Sequence, residues 1–384
     1  MPNSSGMNSL FTNISEAFSA KSNRVPPKLF DEELGLSISQ EFLEAETETV
    51  NDSESKWTIV GQGLAGTCLA WALWKRGEKF SLIDRGSGGS SRVAAGMINP
   101  LTGKNFEPSW RIAEFLPEAL EFYAEVEERL GLKLWYPFPV LRLVGSDKEW
   151  RKIVAKLDAP EVAPWVVGEV PAPAGWSGAV EVKGGGRLDT RAFMDGSREF
   201  FERLGCHQLG EVAMAETKPQ EIRCEGAAGL LAGHYGPHRC AKGEILTIRA
   251  AGWDQTRIRI GAGGWLVPQG GGVFRVGSTY EWDELDDLPT AKGRLRVEEI
   301  AARLGGEAYE VIGHEAGVRP ILRRSQPLIG PLDGGGWMFN ALGSKGALYA
   351  PGIAARLGRW LLDGTPPEPE VDFREFRSQT RHDE

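Results

Sequence analysis

Trp57-Thr58-Ile59-Val60-Gly61-Gln62-Gly63-Leu64-Ala65-Gly66 is the stretch that decides the fold. Four strand-forming residues run into three glycines spaced G-x-G-x-x-G. Ala65, Cys68, Leu69, Ala72 and Leu73 then recur at helical spacing until Gly77. Gly61 permits a tight turn, Gly63 leaves room for a pyrophosphate to approach the backbone, and Gly66 lets the helix pack close to its strand. The helix's free N–H groups and positive end are expected to face the phosphates. Phe80-Ser81-Leu82-Ile83 reads as the next strand, and Asp84 at its end is placed to accept hydrogen bonds from a ribose diol. A free 2′-hydroxyl is thereby favoured over a 2′-phosphate, a preference that the neighbouring Arg85 weakens. The unit predicts a bound dinucleotide, with NAD and FAD both open.

Working outward, 384 residues suggest two domains or one large α/β unit. The longest apolar runs fall well short of the roughly 20 residues that span a bilayer, so no transmembrane segment is expected. Cys68, Cys206, Cys224 and Cys240 form no CxxC and suit a reducing, cytoplasmic setting. The net charge of −9 is uneven: residues 1–56 hold ten acids and four basic residues, so the remaining body is nearly balanced. Without a basic surplus, no nucleic acid is expected as a partner. Residues 1–56 read as a disordered acidic extension with a short helix around Leu10–Phe18, or in part as sequence upstream of a later start such as Met7.

Ser87-Gly88-Gly89-Ser90-Ser91-Arg92-Val93-Ala94-Ala95-Gly96-Met97-Ile98-Asn99-Pro100 is rich in small residues. Small residues let backbone lie against a flat or charged ligand, and Ser and Arg side chains can bond phosphate oxygens. Taken by itself such a segment is more often a flexible loop.

In order along the chain, these parts resemble the D-amino-acid oxidase and glycine oxidase family of FAD-dependent oxidoreductases. The family fingerprint is matched at Gly61, Gly63, Gly66, Ala70, Leu73, Gly77 and Asp84, although its acid is more often glutamate. Gly185-Gly186-Arg187-Leu188-Asp189-Thr190 looks like the lead into its central helix, with Asp189 or Thr190 as N-cap. Ala241-Lys242-Gly243-Glu244-Ile245-Leu246 resembles the return into the substrate domain. Gly264-Trp265-Leu266-Val267-Pro268 and Val276-Gly277-Ser278-Thr279-Tyr280 resemble the pocket strands. Gly317-Val318-Arg319-Pro320 with Pro327-Leu328-Ile329-Gly330 is similar to the carboxylate-binding signature. Ala341-Leu342-Gly343-Ser344-Lys345-Gly346-Ala347-Leu348-Tyr349-Ala350-Pro351 resembles the closing FAD loop and helix.

The resemblance covers residues 57–365 and implies FAD. It implies that Ser90, Ser91, Arg92, Ala95, Gly96 and Met97 pass beside the pyrophosphate and flavin, and that Gly343, Ser344, Lys345, Gly346 and Ala347 close the site. A flavin takes hydride from the amine-bearing carbon of an amino acid, so the protein has mainly to hold that carbon in place. Arg319 is the expected carboxylate grip through two charged hydrogen bonds. Tyr280 is expected to donate to the same carboxylate and Trp265 to shape the side-chain pocket, each with an ordinary core aromatic as the rival reading. His314 is read as a supporting residue or a plain surface or core histidine. Lys345 and Arg275 are read as weak candidates for polarising the flavin or oxygen, against a loop contact and a strand-surface charge. His234, His238 and Cys240 match no closed metal set, and no metal is expected.

The expected fold class is α/β, an FAD-binding Rossmann-like domain interleaved with a mainly antiparallel α+β substrate domain. The FAD-binding part takes 57–135, 183–240 and 311–365, and the substrate part 136–182 and 241–310. Helices are expected from Thr190 to about Leu204 and over Gly352–Leu362, and residues 366–384 are expected to be a mobile polar tail. The preferred activity is oxidation of a small amino acid or secondary amine to an imine and then a 2-oxo acid, with oxygen or a quinone as acceptor. Oligomeric state is left open. Alternatives are a flavin-dependent tRNA wobble-uridine modifying domain and a flavin-binding protein without amine turnover.

Overall fold

The computed structural model describes residues 56–212, 217–322 and 326–381. The expected extension over 1–56 and its short helix lie, but for Lys56, outside the described residues.

The glycine unit forms as read. Strand Trp57–Val60 is followed by helix Leu64–Trp74 and strand Phe80–Asp84. Trp57–Val60 is central in a six-stranded sheet, parallel to Phe80–Asp84 on one side and to Glu221–Arg223 on the other. His207–Leu209 extends one edge, and Trp337–Asn340 and Leu328–Pro331 extend the other. Helix Leu64–Trp74 is buried on nearly every side, because helix Gly346–Asp363 packs over the face turned away from the sheet.

Helix Thr190–Arg203 matches the sequence reading, with the Asp189 carboxylate accepting the Ala192 N–H at 3.1 Å as its cap. The last long helix begins at Gly346, six residues before the expected start, and runs through Pro351. A proline has no N–H for the carbonyl four residues back. Here that carbonyl, of Ala347, accepts the Tyr123 hydroxyl at 2.8 Å, so the helix continues without an orphaned acceptor.

The second sheet has eight strands, in the order Glu310–Arg319, Ala241–Arg249, Val273–Gly277, Gly264–Gly270, Ile258–Gly261, Val140–Val144, Gly178–Val182 and Val166–Glu169. Residues 311–319, expected with the FAD-binding part, therefore belong to this sheet: Gly317 faces Gly243 and Arg319 faces Ala241 across an antiparallel ladder. Period-two alternation divides the two faces. Leu246, Val276 and Leu266 form one cross-strand row and pack with Val297, Ile300, Ala301 and Leu304 of helix Ala291–Leu304. The adjacent row, Ile245, Gly277, Trp265, Ile260 and Arg142, lies on the opposite face, toward the cleft.

The chain end is not a free tail through Arg381. Val371 and Phe373 are buried, the Ile329 N–H donates to the Val371 carbonyl at 2.9 Å, and helix Phe373–Arg381 covers the edge strand. The polar composition of 366–384 conceals Val371, Phe373 and Phe376, whose apolar area suffices to dock the helix. No helix among the described residues is long and apolar enough to cross a membrane.

Before that helix, Glu368 joins an ionic cluster around buried Arg356. The guanidinium contacts Glu114, Glu118 at 2.8 Å and Glu368 at 3.3 Å, while Arg111 reaches Glu368 at 2.7 Å. Burial raises the Glu368 pKa, but a backbone N–H, Arg111 and Arg356 outweigh it and hold the carboxyl at about 2. A depressed carboxyl contributes stability that is complete above its ordinary value of 4.5 and is lost as pH falls from there toward 2. Glu368→Gln is therefore expected to lower the urea midpoint at pH 7, with the deficit shrinking across that window. A deficit independent of pH would show that the charge of Glu368 does not matter.

Candidate active site

The two sheets enclose a cleft of about 1490 Å³. One half begins at Gly61, where φ is +101° and a Cβ would stand 2.6 Å from the Cys224 carbonyl oxygen. A Cβ on Gly66 would stand 1.9 Å from the Gly61 oxygen, so helix and turn touch only because Gly66 lacks one. The Asp84 carboxylate accepts the Gln62 N–H at 2.8 Å and the Gly86 N–H at 2.7 Å, which orients it into the cleft. The starts of helices Leu64–Trp74 and Gly346–Asp363 converge: a Cβ on Gly346 would meet the Leu64 side chain at 2.8 Å. Two positive helix ends thus face the same space, a setting for a pyrophosphate.

Segment Ser90–Ile98 crosses between the sheets. The Ser91 hydroxyl accepts the Leu64 N–H at 3.1 Å, and a Cβ on Gly96 would lie 1.9 Å from the Leu188 carbonyl oxygen. Gly317 of the eight-stranded sheet abuts Ser90, where a Cβ would come 3.1 Å from the Ser90 Cα. Ala95 is buried, and Met97 pairs with Arg187 across a short three-stranded sheet. Gly343 donates its N–H to the Pro320 carbonyl at 3.0 Å, and Ser344, Lys345 and Ala347 line the cleft. The donor set fits FAD: bare backbone and helix starts for the pyrophosphate, and a held carboxylate for the ribose.

Several side chains depart from the sequence reading. Arg92 lines the cleft, but its guanidinium is committed to Asp195 at 2.8 and 3.0 Å rather than free for a phosphate. Arg85 bonds the Ser87 carbonyl at 3.1 Å. Arg275 is buried rather than a surface charge: it donates to the Val93 carbonyl at 2.5 Å and pairs with Glu315 at 3.1 Å, tying the crossing segment to the sheet. His314 lies beside Glu244 at 2.8 Å on the helix-packed face, opposite Leu246. Its odd separation of five from Arg319 puts the two on opposite faces of one strand, so His314 does not support Arg319 directly. Lys345 donates to the Thr102 and Ser109 hydroxyls at 3.2 and 3.1 Å, and burial lowers its pKa.

The opposite half of the cleft gathers Arg319, Tyr280 and Trp265. Arg319 lies flat over Gly243, where a Cβ would meet Nη2 at 2.1 Å. It donates to the Ser278 hydroxyl at 2.5 Å and to the Thr279 and Ala241 carbonyls at 3.3 and 3.4 Å. The Tyr280 ring stacks on it at 4.2 Å. Burial lowers the Arg319 pKa, and Tyr280 partly opposes the shift. Among the described residues no carboxylate pairs with this guanidinium. Tyr280 stands three residues past the end of strand Val273–Gly277 and is half exposed, so it is a cleft-mouth aromatic rather than a strand residue. Trp265 is on its strand, directly opposite Gly277.

Gly243, Ser278 and Glu225 were not singled out from sequence. Gly243 falls within a quoted motif, and its role needs the cross-strand register to be known. Glu225 follows the third parallel strand, lines the cleft and accepts the Tyr235 hydroxyl at 2.5 Å.

A family model described as FAD dependent oxidoreductase matches residues 56–360. The chain is 25% identical to the tRNA 5-methylaminomethyl-2-thiouridine biosynthesis bifunctional protein MnmC of Methylibium petroleiphilum, over 84% of this chain and 59% of that protein. It thus spans less than two thirds of that relative. It is also 25% identical to a glycine oxidase of Pseudomonas aeruginosa, over 80% of this chain and 95% of the enzyme. Among solved structures, iminodiacetate oxidase from Chelativorans sp. BNC1 superposes with a TM-score of 0.66 at 19% identity, covering 81% of this chain and 96% of that one. That last likeness is one of fold.

Asp84→Ala is expected to weaken FAD retention by about 10- to 100-fold, since charge-assisted hydrogen bonds contribute roughly 1.5–3 kcal/mol. The ratio of flavin to protein absorbance during dialysis, with circular dichroism as a check on folding, measures it. Undiminished retention would remove Asp84 from the site.

Proposed function

We propose, from the premise that the chain belongs to the family of FAD-dependent oxidoreductases, that it oxidises a small amino acid or secondary amine bearing a carboxylate. The observation that carries this reading is Arg319. A guanidinium partly withdrawn from water gives up hydration that a nearby anion would restore, and its partners here are neutral: one hydroxyl, two carbonyls and a ring face. A substrate carboxylate supplies the missing charge, and the planar fork sets its orientation. Gly243 beneath and Tyr280 above hold that fork in one plane, so the bound carboxylate positions its neighbouring carbon and amine.

FAD, when bound, accepts the hydride released from the amine-bearing carbon. Trp265 walls the floor beside it and limits the poses available to the substituent. Lys345 presents a cation held only by hydroxyls at the closing loop, placed to meet negative charge that develops there. No side-chain base is required provided that the amine arrives neutral, and water converts the imine to a 2-oxo acid. Four free cysteines suit the cytoplasm as the proposed location.

A second reading, an amine carried on a tRNA wobble uridine, is favoured by the likeness to the Methylibium protein over 84% of this chain. Salt-sensitive retention of tRNA by the flavin-loaded protein would select it.

Anaerobic mixing with D-amino acids, glycine, sarcosine, proline and L-amino acids is expected to bleach the flavin with at least one of them. Arg319→Ala is expected to lower kcat/KM for that substrate by about 100-fold or more, on the order of 3 kcal/mol for a lost charged bidentate contact. Gly243→Ala, which pushes the guanidinium aside, is expected to cause a similar loss with Arg319 still present. An Arg319→Ala enzyme that bleaches as readily as the parent would overturn the assignment.

A further inference from the structure

The cleft is longer than a small amino acid needs. Its floor on the eight-stranded sheet continues from Gly243 through Ile245, Trp265 and Ile260 to Arg142. The strand of Arg142 is five places from that of Arg319, a separation of roughly 24 Å at the usual strand spacing.

Beyond Trp265 the character of the wall changes. Lys148 and Lys152, four apart on helix Asp147–Val154, share one face and line the cleft. Lys104 lines it from the short hairpin of Leu101–Thr102 and Glu107–Pro108, which Lys156 fastens beside that helix by donating to the Asn105 carbonyl at 2.9 Å. Arg303 completes the rim, its guanidinium stacked 4.8 Å from the Trp176 ring. Glu149 is the one carboxylate in this part of the lining, and Arg142 holds it at 2.8 Å. Lys104, Lys148 and Lys152 have no ion-pair partner among the described residues, whereas neighbouring Lys156 is also spent on Glu107. This local surplus of positive charge stands in a body whose overall charge is nearly balanced.

We propose that the outer half of the cleft is a subsite for a second anionic group, a carboxylate or phosphate, carried at the far end of the substituent on the substrate's amine. The inference rests on the amine-oxidation reading and narrows its substrate class. Arg319 takes the carboxylate next to the reacting carbon, Trp265 marks the passage, and the cationic rim draws the second anion by its field. A neutral substituent of the same length gains nothing from that rim.

The test uses the FAD-loaded full chain and two N-alkylglycines of equal length, one ending in a carboxylate and the other in the isosteric primary amide. The ratio of their kcat/KM values at low salt is expected to favour the carboxylate by about tenfold. It is expected to fall toward one at high salt and in the Lys148→Gln/Lys152→Gln double variant. Equal use of both compounds by the parent, or a preference that survives the double variant, overturns the subsite while leaving amine oxidation intact. If neither compound bleaches the flavin, calorimetric titration with the same pair still decides the subsite, and the amine-oxidation reading stands or falls with the amino-acid panel. Tighter binding of the carboxylate in the parent but not in the double variant supports it, and equal binding overturns it. A short oligoribonucleotide that competes with the carboxylate compound in the parent but not in the double variant also supports the subsite, with phosphodiester as the anion.

Discussion

Segment Ser90–Ile98 is gripped from both sides, and the geometry of the cleft depends on that grip. On the parallel-sheet side, the Ser91 hydroxyl takes the Leu64 N–H, the Arg191 side chain takes the Arg92 carbonyl, and Gly96 sits against Leu188. On the side of the eight-stranded sheet, Arg275 donates to the Val93 carbonyl and Gly317 presses on Ser90. The segment lies between the part of the cleft that holds the glycine turn and the part that holds Arg319, and five short contacts fix it there.

Charge compensation divides the buried and half-buried cations into two kinds. Arg356 has Glu114, Glu118 and Glu368; Arg223 has Glu221 at 2.7 Å; Lys242 has Asp286 at 2.5 Å; Arg275 has Glu315. Each ion withdrawn from water recovers part of its lost hydration from a carboxylate. Arg319 and Lys345 differ, since their partners carry no charge, and both open on the cleft. The protein tolerates that deficit where a ligand can meet it.

Much of this was legible from residues. The spacing of Gly61, Gly63 and Gly66, the strand before them and Asp84 after them determined the first unit, because each demand is local and made on one residue type. Parity along a strand was also available: the odd separation of five from His314 to Arg319 places them on opposite faces, which closeness in sequence obscures. Other features required contacts between distant parts of the chain. The Ala347 carbonyl that lets a helix pass Pro351 is satisfied by Tyr123, 224 residues away. Arg92 and Arg275 could be assigned only once Asp195 and Val93 were seen beside them. The terminal helix was hidden because a few buried side chains outweigh many solvated ones.

The chain passes between the two sheets four times. It builds the six-stranded sheet from 57–84, 207–223 and 328–340, and the eight-stranded sheet from 140–182 and 241–319. No single cut frees either sheet, so neither can be inherited or exchanged as a cassette. Descent in such a chain alters the cleft in place, through side chains on a floor whose backbone the interleaved sheets already constrain.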